Sequence, residues 1–313
     1  MQITLKSLVG FGGVMAIAYL GLCVAIWKQQ TRLIYFPSSL IETRPQAFDL
    51  PFQDVWLPLR SDGKVEHMHG WWIPANRVEQ GVILYLHGNG LNIGANLVQA
   101  QRFHQLGWSV FLPDYRGYGQ SEGGFPTEAK LYQDAATAWK YLTETRGIAA
   151  NEIVLFGHSL GGAVAIELAT HHPQIAGLII QSSFSSMRAM VDHRGQFAIF
   201  PVGLILNQHF DSLNRVRSLP MPILYIHGMA DSIIPYQMSQ SLHASTRSEK
   251  QLYLVPRAGH NNVGDIGGVA YMQTLNQFLG RVKHQPPKTS ASYIEKNGSR
   301  TTNSPPIKPC WRK

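Results

Sequence analysis

At 313 residues the chain is long enough for one large α/β domain with a buried core, and 44% apolar against 15% charged residues exclude a disordered or fibrous protein. The formal net charge of +8 belongs to the two ends: residues 33–280 carry 16 Lys/Arg against 18 Asp/Glu, which excludes a nucleic-acid-binding body. The only two cysteines, Cys23 and Cys310, lie outside that body, which excludes a disulfide framework and a cysteine-built zinc site.

In chain order, the first element is an uncharged apolar run over residues 7–27, as long as a helix must be to cross a bilayer. Lys6 precedes it, Lys28 and Arg32 follow, and Trp27 stands where an interfacial aromatic is expected. A cleaved signal peptide would have a shorter apolar stretch and a small-residue cleavage site, for which Cys23-Val24-Ala25 is a poor candidate. Residues 1–32 therefore read as a single-pass membrane anchor. Basic residues on both flanks leave its orientation open.

Strands are then predicted at 54–59, 66–73, 82–86, 109–112, 153–156, 178–181, 223–226 and 251–255. Five of these are short continuous apolar runs, as strands buried on both faces require. Helices are predicted at 95–106, 127–145, 160–171, 235–244 and 268–282. Such alternation predicts an α/β fold with a doubly wound, mostly parallel sheet. The first two strands follow each other without a helix, which predicts an antiparallel start. Residues 33–282 form this domain, with a short helical cap at about 183–219. Residues 283–313, rich in proline and basic residues and without apolar periodicity, read as a disordered tail.

The sharpest chemical signal is Gly157-His158-Ser159-Leu160-Gly161, which follows the strand IVLF and opens the helix LGGAVAIELAT. Between a strand and a helix, G-x-S-x-G is the tight turn that exposes a serine hydroxyl at the strand's end. A serine hydroxyl needs a base to become a nucleophile. Of the 13 histidines, His260 follows the strand QLYLV in a loop at the C-terminal edge of the sheet, where catalytic groups gather. His158 would point away from the hydroxyl, and His87 and His227 suit packed or backbone-bonded imidazoles. Asp231, after the strand ILYI, is the expected acid and gives the chain order Ser…Asp…His; Asp211 and Asp265 are the alternatives. An oxyanion needs two preorganised donors. The backbone N–H groups of Leu160 and of Asn89, in the loop Leu86-His87-Gly88-Asn89-Gly90, are the candidates. Asp114 and Arg116, in DYRGYG, read as a structural turn with paired or backbone-bonded side chains. In the cap, Phe197, Ile199, Phe200, Leu204, Ile205 and Leu206 are candidates for an acyl-binding wall, about half of them expected to pack against the body instead.

With these segments placed, the chain resembles the α/β-hydrolase superfamily and, more narrowly, the membrane-anchored bud-emergence-suppressor (Bem-type) hydrolases. These are related to α/β-hydrolase-domain depalmitoylases and lysophospholipid lipases. LIYFPSS, LHGNGLNIGAN, PDYRGYGQSEG, LFGHSLGGAVAIELA, HFDSLNRV, ILYIHGMADSIIP and VPRAGHNN carry the resemblance. It implies Ser159, Asp231 and His260 as a triad with Asn89 and Leu160 at the oxyanion hole. The expected activity is hydrolysis of a carboxylic ester or thioester, such as a lipid acyl ester, through an acyl-enzyme, with no metal or cofactor. A serine peptidase on the same fold and an inactive membrane-tethered interaction protein are the rival readings. Substrate acyl and leaving groups stay open, as does oligomeric state.

Overall fold

The computed structural model describes residues 5–283 except 62 and 77–79. Helix α1, Leu5–Ile34, runs seven residues beyond the apolar stretch. The span Gly10–Ile34 is long and, on average, apolar enough to cross a membrane, and little of its most apolar part is buried against the rest of the chain. The polar stretch from Lys28 to Arg32 continues the helix, because Lys, Gln and Arg are good helix formers. The boundary placed after residue 32 thus falls within α1, and the basic tail from 284 onward lies outside the described residues.

The strands are β1 (Gln53–Ser61), β2 (Lys64–Ile73), β3 (Val82–Leu86), β4 (Ser109–Pro113), β5 (Ile153–His158), β6 (Gly177–Gln181), β7 (Ile223–Gly228) and β8 (Lys250–Val255). They form one sheet in the order β8-β7-β6-β5-β3-β4-β2-β1. β1 pairs antiparallel with β2 and β2 antiparallel with β4, while the remaining strands run parallel. This is the antiparallel start expected where no crossover helix intervenes. Both faces of the sheet are covered. Alternate residues of β3 show it: Val82, Leu84 and Leu86 enter one apolar cluster, Ile83 and Tyr85 the other. Each such side chain removed from water is worth about 1.5–3 kcal/mol, which explains why the short apolar runs settle as central strands.

The helices fill the crossovers: α2 (Leu97–Gln105), α3 (Glu128–Lys140), α4 (Leu160–His171), then in the cap α5 (Met187–Arg194), α6 (Val202–Ile205) and α7 (Ser212–Arg215), and finally α8 (Gln237–Ser245) and α9 (Val263–Lys283). Thr127 caps α3 by accepting from Lys130 N at 3.3 Å, and Ser186 caps α5 by accepting from Ala189 N at 3.1 Å. α9 begins five residues before the predicted start. Gly268, with φ 50° and ψ −129°, kinks it, and that glycine made the later start look natural.

Two features tie the start of the chain to the sheet's C-terminal edge. Phe36–Pro37 pairs in parallel with Gly90–Leu91, and Phe36 N donates to Asn89 O at 2.9 Å. Buried Tyr35 donates to Gln208 Oε1 at 2.9 Å, and the same oxygen accepts from Glu128 N at 2.7 Å. The cap is thereby joined to α3 and to the end of α1. The DYRGYG turn is structural, as expected. Arg116 donates from Nε to Asp134 Oδ1 at 2.6 Å and from its backbone N to Asp134 Oδ2 at 2.9 Å, while Asp114 accepts from Ile93 N at 2.9 Å.

Candidate active site

Ser159 stands between β5 and α4 with φ 54° and ψ −120°, a left-handed backbone that a non-glycine residue holds only when its surroundings enforce it. Three hydrogen bonds do so. Ser159 N donates to Gln181 O at 2.9 Å, and Ser159 O accepts from Gly162 N at 3.0 Å and from Ser183 Oγ at 2.8 Å. The flanking glycines are a steric requirement. A Cβ on Gly157 would overlap Gly161 O, and one on Gly161 would overlap Leu86 O and His87 O. Gly161→Ala should therefore cost about 3 kcal/mol or more through overpacking against an unyielding backbone. A urea unfolding midpoint unchanged from wild type would contradict this.

The structure brings three of the sequence-selected side chains together. His260 Nε2 lies 3.0 Å from Ser159 Oγ, and His260 Nδ1 lies 2.7 Å from Asp231 Oδ2. A carboxylate oxygen only accepts, so Nδ1 carries the proton and Nε2 presents its lone pair to the serine. Asp231 has its side chain fully buried, and burial pushes its pKa up. Hydrogen bonds from His227 and His260, the electrostatic effect of the His260 ring and the Ile234 N–H outweigh that, and hold the carboxyl well below its ordinary range. Its second oxygen, Oδ1, accepts from Ile233 N at 2.8 Å and Ile234 N at 2.9 Å.

The alternative acids lie elsewhere. Asp211 caps α7, accepting from Asn214 N at 3.4 Å, and Asp265 accepts from Arg102 Nη2 at 2.6 Å. His227 does more than pack. Its Nε2 reaches both Ile234 O at 3.0 Å and Asp231 Oδ2 at 3.1 Å. Both are acceptors, so Nε2 carries the proton, and Nδ1 accepts from Ser239 Oγ at 2.7 Å. His227 thus fixes the carboxylate from behind, a role that sequence reasoning missed. The available signal was its position at a strand's C-terminal end, four residues before the acid.

His158 turns away from the serine, its Nε2 donating to His260 O at 3.3 Å. Burial pushes its pKa down to about 3, and the neighbouring His260 adds to the effect. The folded state therefore binds fewer protons than the unfolded chain between pH 6.5 and about 3. Stability should fall as pH drops through that window. Because His158 is partly exposed, the discounted effect is about 1 kcal/mol between pH 7 and 5. Urea titrations at both pH values should find His158→Gln, which keeps a donor for His260 O, losing that much less than wild type. Equal losses would contradict the burial argument.

Ser159 opens into a cleft of about 260 Å³. Asn89 and Leu160 line it beside the serine, and neither backbone N–H donates to a carbonyl among the described residues. Asn89 is pinned on its other sides. Its O accepts from Tyr118 Oη at 2.9 Å, and its Nδ2 donates to Ile34 O at 2.7 Å. The remaining wall is mostly apolar, with Gln30, Arg194 and Gln196 as its polar members; it comes chiefly from the cap and, unexpectedly, from α1, which supplies Ile26, Gln30, Leu33 and Ile34. Of the six cap candidates, Phe197, Ile205 and Leu206 line the cleft. Phe200 stacks on Tyr19 at 5.9 Å between ring centroids, and Ile199 and Leu204 face outward.

Comparison with known proteins places the chain in a family. Residues 78–209 match a family model described as serine aminopeptidase, S33 (Hydrolase_4). An uncharacterized protein of Mycobacterium tuberculosis is 33% identical over 272 residues, covering 85% of this chain and 92% of its own. Protein bem46 of Schizosaccharomyces pombe is 31% identical over 269 residues, covering 81% and 87%. Among solved structures, the Pyrococcus furiosus esterase Pf2001 superposes with a TM-score of 0.65 at 19% identity, covering 79% of this chain and 97% of its own.

Proposed function

We propose, from the premise that the chain belongs to the Bem46-type α/β-hydrolases, that it is a serine hydrolase cleaving carboxylic esters or thioesters through an acyl-enzyme. The observation that carries this reading is the continuous relay Ser159 Oγ, His260 Nε2, His260 Nδ1, Asp231 Oδ2, with spacings of 3.0 and 2.7 Å. In it, Ser159 Oγ attacks the acyl carbonyl while His260 Nε2 takes its proton, and Asp231 stabilises the resulting imidazolium. The oxyanion develops toward the N–H groups of Asn89 and Leu160, the latter at the positive end of α4. Collapse expels the alcohol or thiol, which receives the proton from His260. A water then repeats the sequence on the acyl-enzyme, with His260 as its base.

An ester rather than a peptide substrate is favoured by the cleft. An aminopeptidase must hold a cationic amino terminus, yet none of the described residues lining the cleft is Asp or Glu, and Arg194 is there instead. The apolar wall suits an acyl chain. In this reading α1 holds the domain at a membrane. The test is a fluorophosphonate probe followed by a panel of acyl esters, thioesters and aminoacyl amides. Labelling confined to Ser159, with turnover of esters or thioesters but not amides, is the expected result. Labelling that persists in Ser159→Ala, or amide turnover exceeding ester turnover, would overturn the assignment.

A further inference from the structure

The cap contains a stretch that a water-soluble lid has no use for. Residues 195–208 hold no Asp, Glu, Lys or Arg. Within that stretch Ile199 is 74% exposed and Leu204 85% exposed, although neither lines the cleft. Their position along α1 is informative. Tyr19 Oη donates to Ile199 O at 2.7 Å and the Tyr19 ring stacks on Phe200. Farther along, Gln30 Nε2 donates to Ile205 O at 2.9 Å and Gln30 Oε1 accepts from Asn207 N at 2.9 Å. The cap therefore lies along the second half of α1. Tyr19 is eight residues before Trp27, or about 12 Å along the helix at 1.5 Å per residue. If Trp27 and Lys28 mark the interface, the tip of the cap reaches well below it. At the same depth along α1, on its other sides, Val14, Ile17 and Leu20 are exposed as well. Bilayer hydrocarbon covers such a surface without leaving charge unsolvated, and the Ile199 carbonyl at the tip is already bonded to Tyr19.

We propose that the cap segment 197–206 inserts into the bilayer beside α1, and that the cleft between them receives the acyl chain of its substrate directly from the membrane. The substrate class is then a membrane-resident, long-chain acyl ester or thioester, and α1 is part of the binding site as well as an anchor. This rests on α1 being a membrane helix and on Ser159 being the nucleophile. Ile26, Leu33 and Ile34 of α1 line the cleft together with Phe197, Ile205 and Leu206 of the cap, and Ser159 opens into the same cleft. A chain lying in the outer part of the bilayer would pass between these walls to the serine without crossing water.

Insertion is tested on the full chain, with Cys23 and Cys310 replaced by serine. A single cysteine labelled with an environment-sensitive fluorophore is placed at position 17, 199 or 269 in phosphatidylcholine vesicles containing lipid brominated on its acyl chains. Labels at 17 and 199 should be quenched alike, and the label at 269, equally exposed on α9, should not be. A label at 199 that behaves like the one at 269 would overturn the proposal. Loss of quenching at 17 as well would overturn both it and the anchor reading. Delivery is tested with Ile199→Asp and Leu204→Asp. KM for a long-chain monoacyl ester in vesicles should rise at least about tenfold, a lower bound on the cost of taking one charge below the membrane interface. kcat/KM on a soluble butyrate ester should stay within about twofold, because neither side chain touches the cleft. Equal losses on both substrates would mean a purely structural cap and overturn the proposal. A wild type inactive on every ester would instead overturn the hydrolase reading, and quenching at 199 would still decide whether the cap inserts.

Discussion

Ser159→Ala and His260→Ala are each expected to lower kcat on a soluble ester by on the order of 10³-fold or more, and the double variant to be little worse than either. The reason is that the two side chains perform one event. In the proposed mechanism the Nε2 lone pair, 3.0 Å from Oγ, takes the proton as the hydroxyl attacks. Without the base, the hydroxyl stays a weak nucleophile at neutral pH; without the hydroxyl, the base has no proton to take. What survives in either variant is the shared remainder of the site, the two proposed oxyanion donors and the cleft, so the losses should not add. Protein stability should barely change, since the serine's strained backbone is held by Gln181 O, Gly162 N and Ser183 Oγ, all independent of its hydroxyl. Steady-state kinetics on the three variants, with thermal unfolding as control, tests this. Losses that multiply in the double variant, or near-normal activity in His260→Ala, would place the base elsewhere.

The central strands, and the meeting of Ser159, His260 and Asp231 at their ends, were legible in the sequence because each is marked by its local segment. A strand such as Val82–Leu86, buried on both faces, has to be continuously apolar, and it stands out from its polar surroundings. The serine turn needs glycines at fixed offsets, and the C-terminal edges of neighbouring strands converge, so Asp231 and His260 could be selected by strand position alone. Long-range partners left no such trace. Gln30 reads as one more polar residue after a membrane span, yet it is buried against the cap through Ile205 O and Asn207 N, 175 and 177 residues away. Glu128 reads as a helix-start acid, yet it also accepts from Phe210 N at 2.8 Å. The pairing of Phe36–Pro37 with Gly90–Leu91 is two residues long and includes a proline, so it lacks any alternation to read. His227 escaped because a histidine at a strand end has an ordinary structural use, and only its bonds to Ile234 O and Asp231 identify what it does.

The hydrogen bonds around Asp231 lead to the second large effect. Asp231→Asn is expected to lower kcat on the order of 10⁴-fold, more than simple loss of a charge would suggest. The orientation of the new amide is forced. Oδ1 lies under two N–H donors, from Ile233 and Ile234, so the asparagine carbonyl must occupy that place and its NH₂ must take the place of Oδ2. That NH₂ then faces His260 Nδ1 at 2.7 Å and His227 Nε2 at 3.1 Å. His260 can satisfy it only by accepting at Nδ1, which moves its proton to Nε2 and points an N–H at Ser159 instead of a lone pair. The base is then present, correctly placed and in the wrong tautomer. His227 meets the same amide with its own N–H, and Ile234 O, which can only accept, opposes its tautomer change, so some stability should be lost as well. Asp211→Asn, which only alters the cap of α7, should leave kcat within about twofold, because a neutral asparagine caps a helix nearly as well as aspartate. Kinetics of the two variants side by side, with ¹⁵N NMR of His260 to report which nitrogen is protonated, carries the test. If Asp231→Asn left kcat within tenfold of wild type while Asp211→Asn abolished it, the acid would belong to the cap and the relay drawn through Asp231 would be wrong.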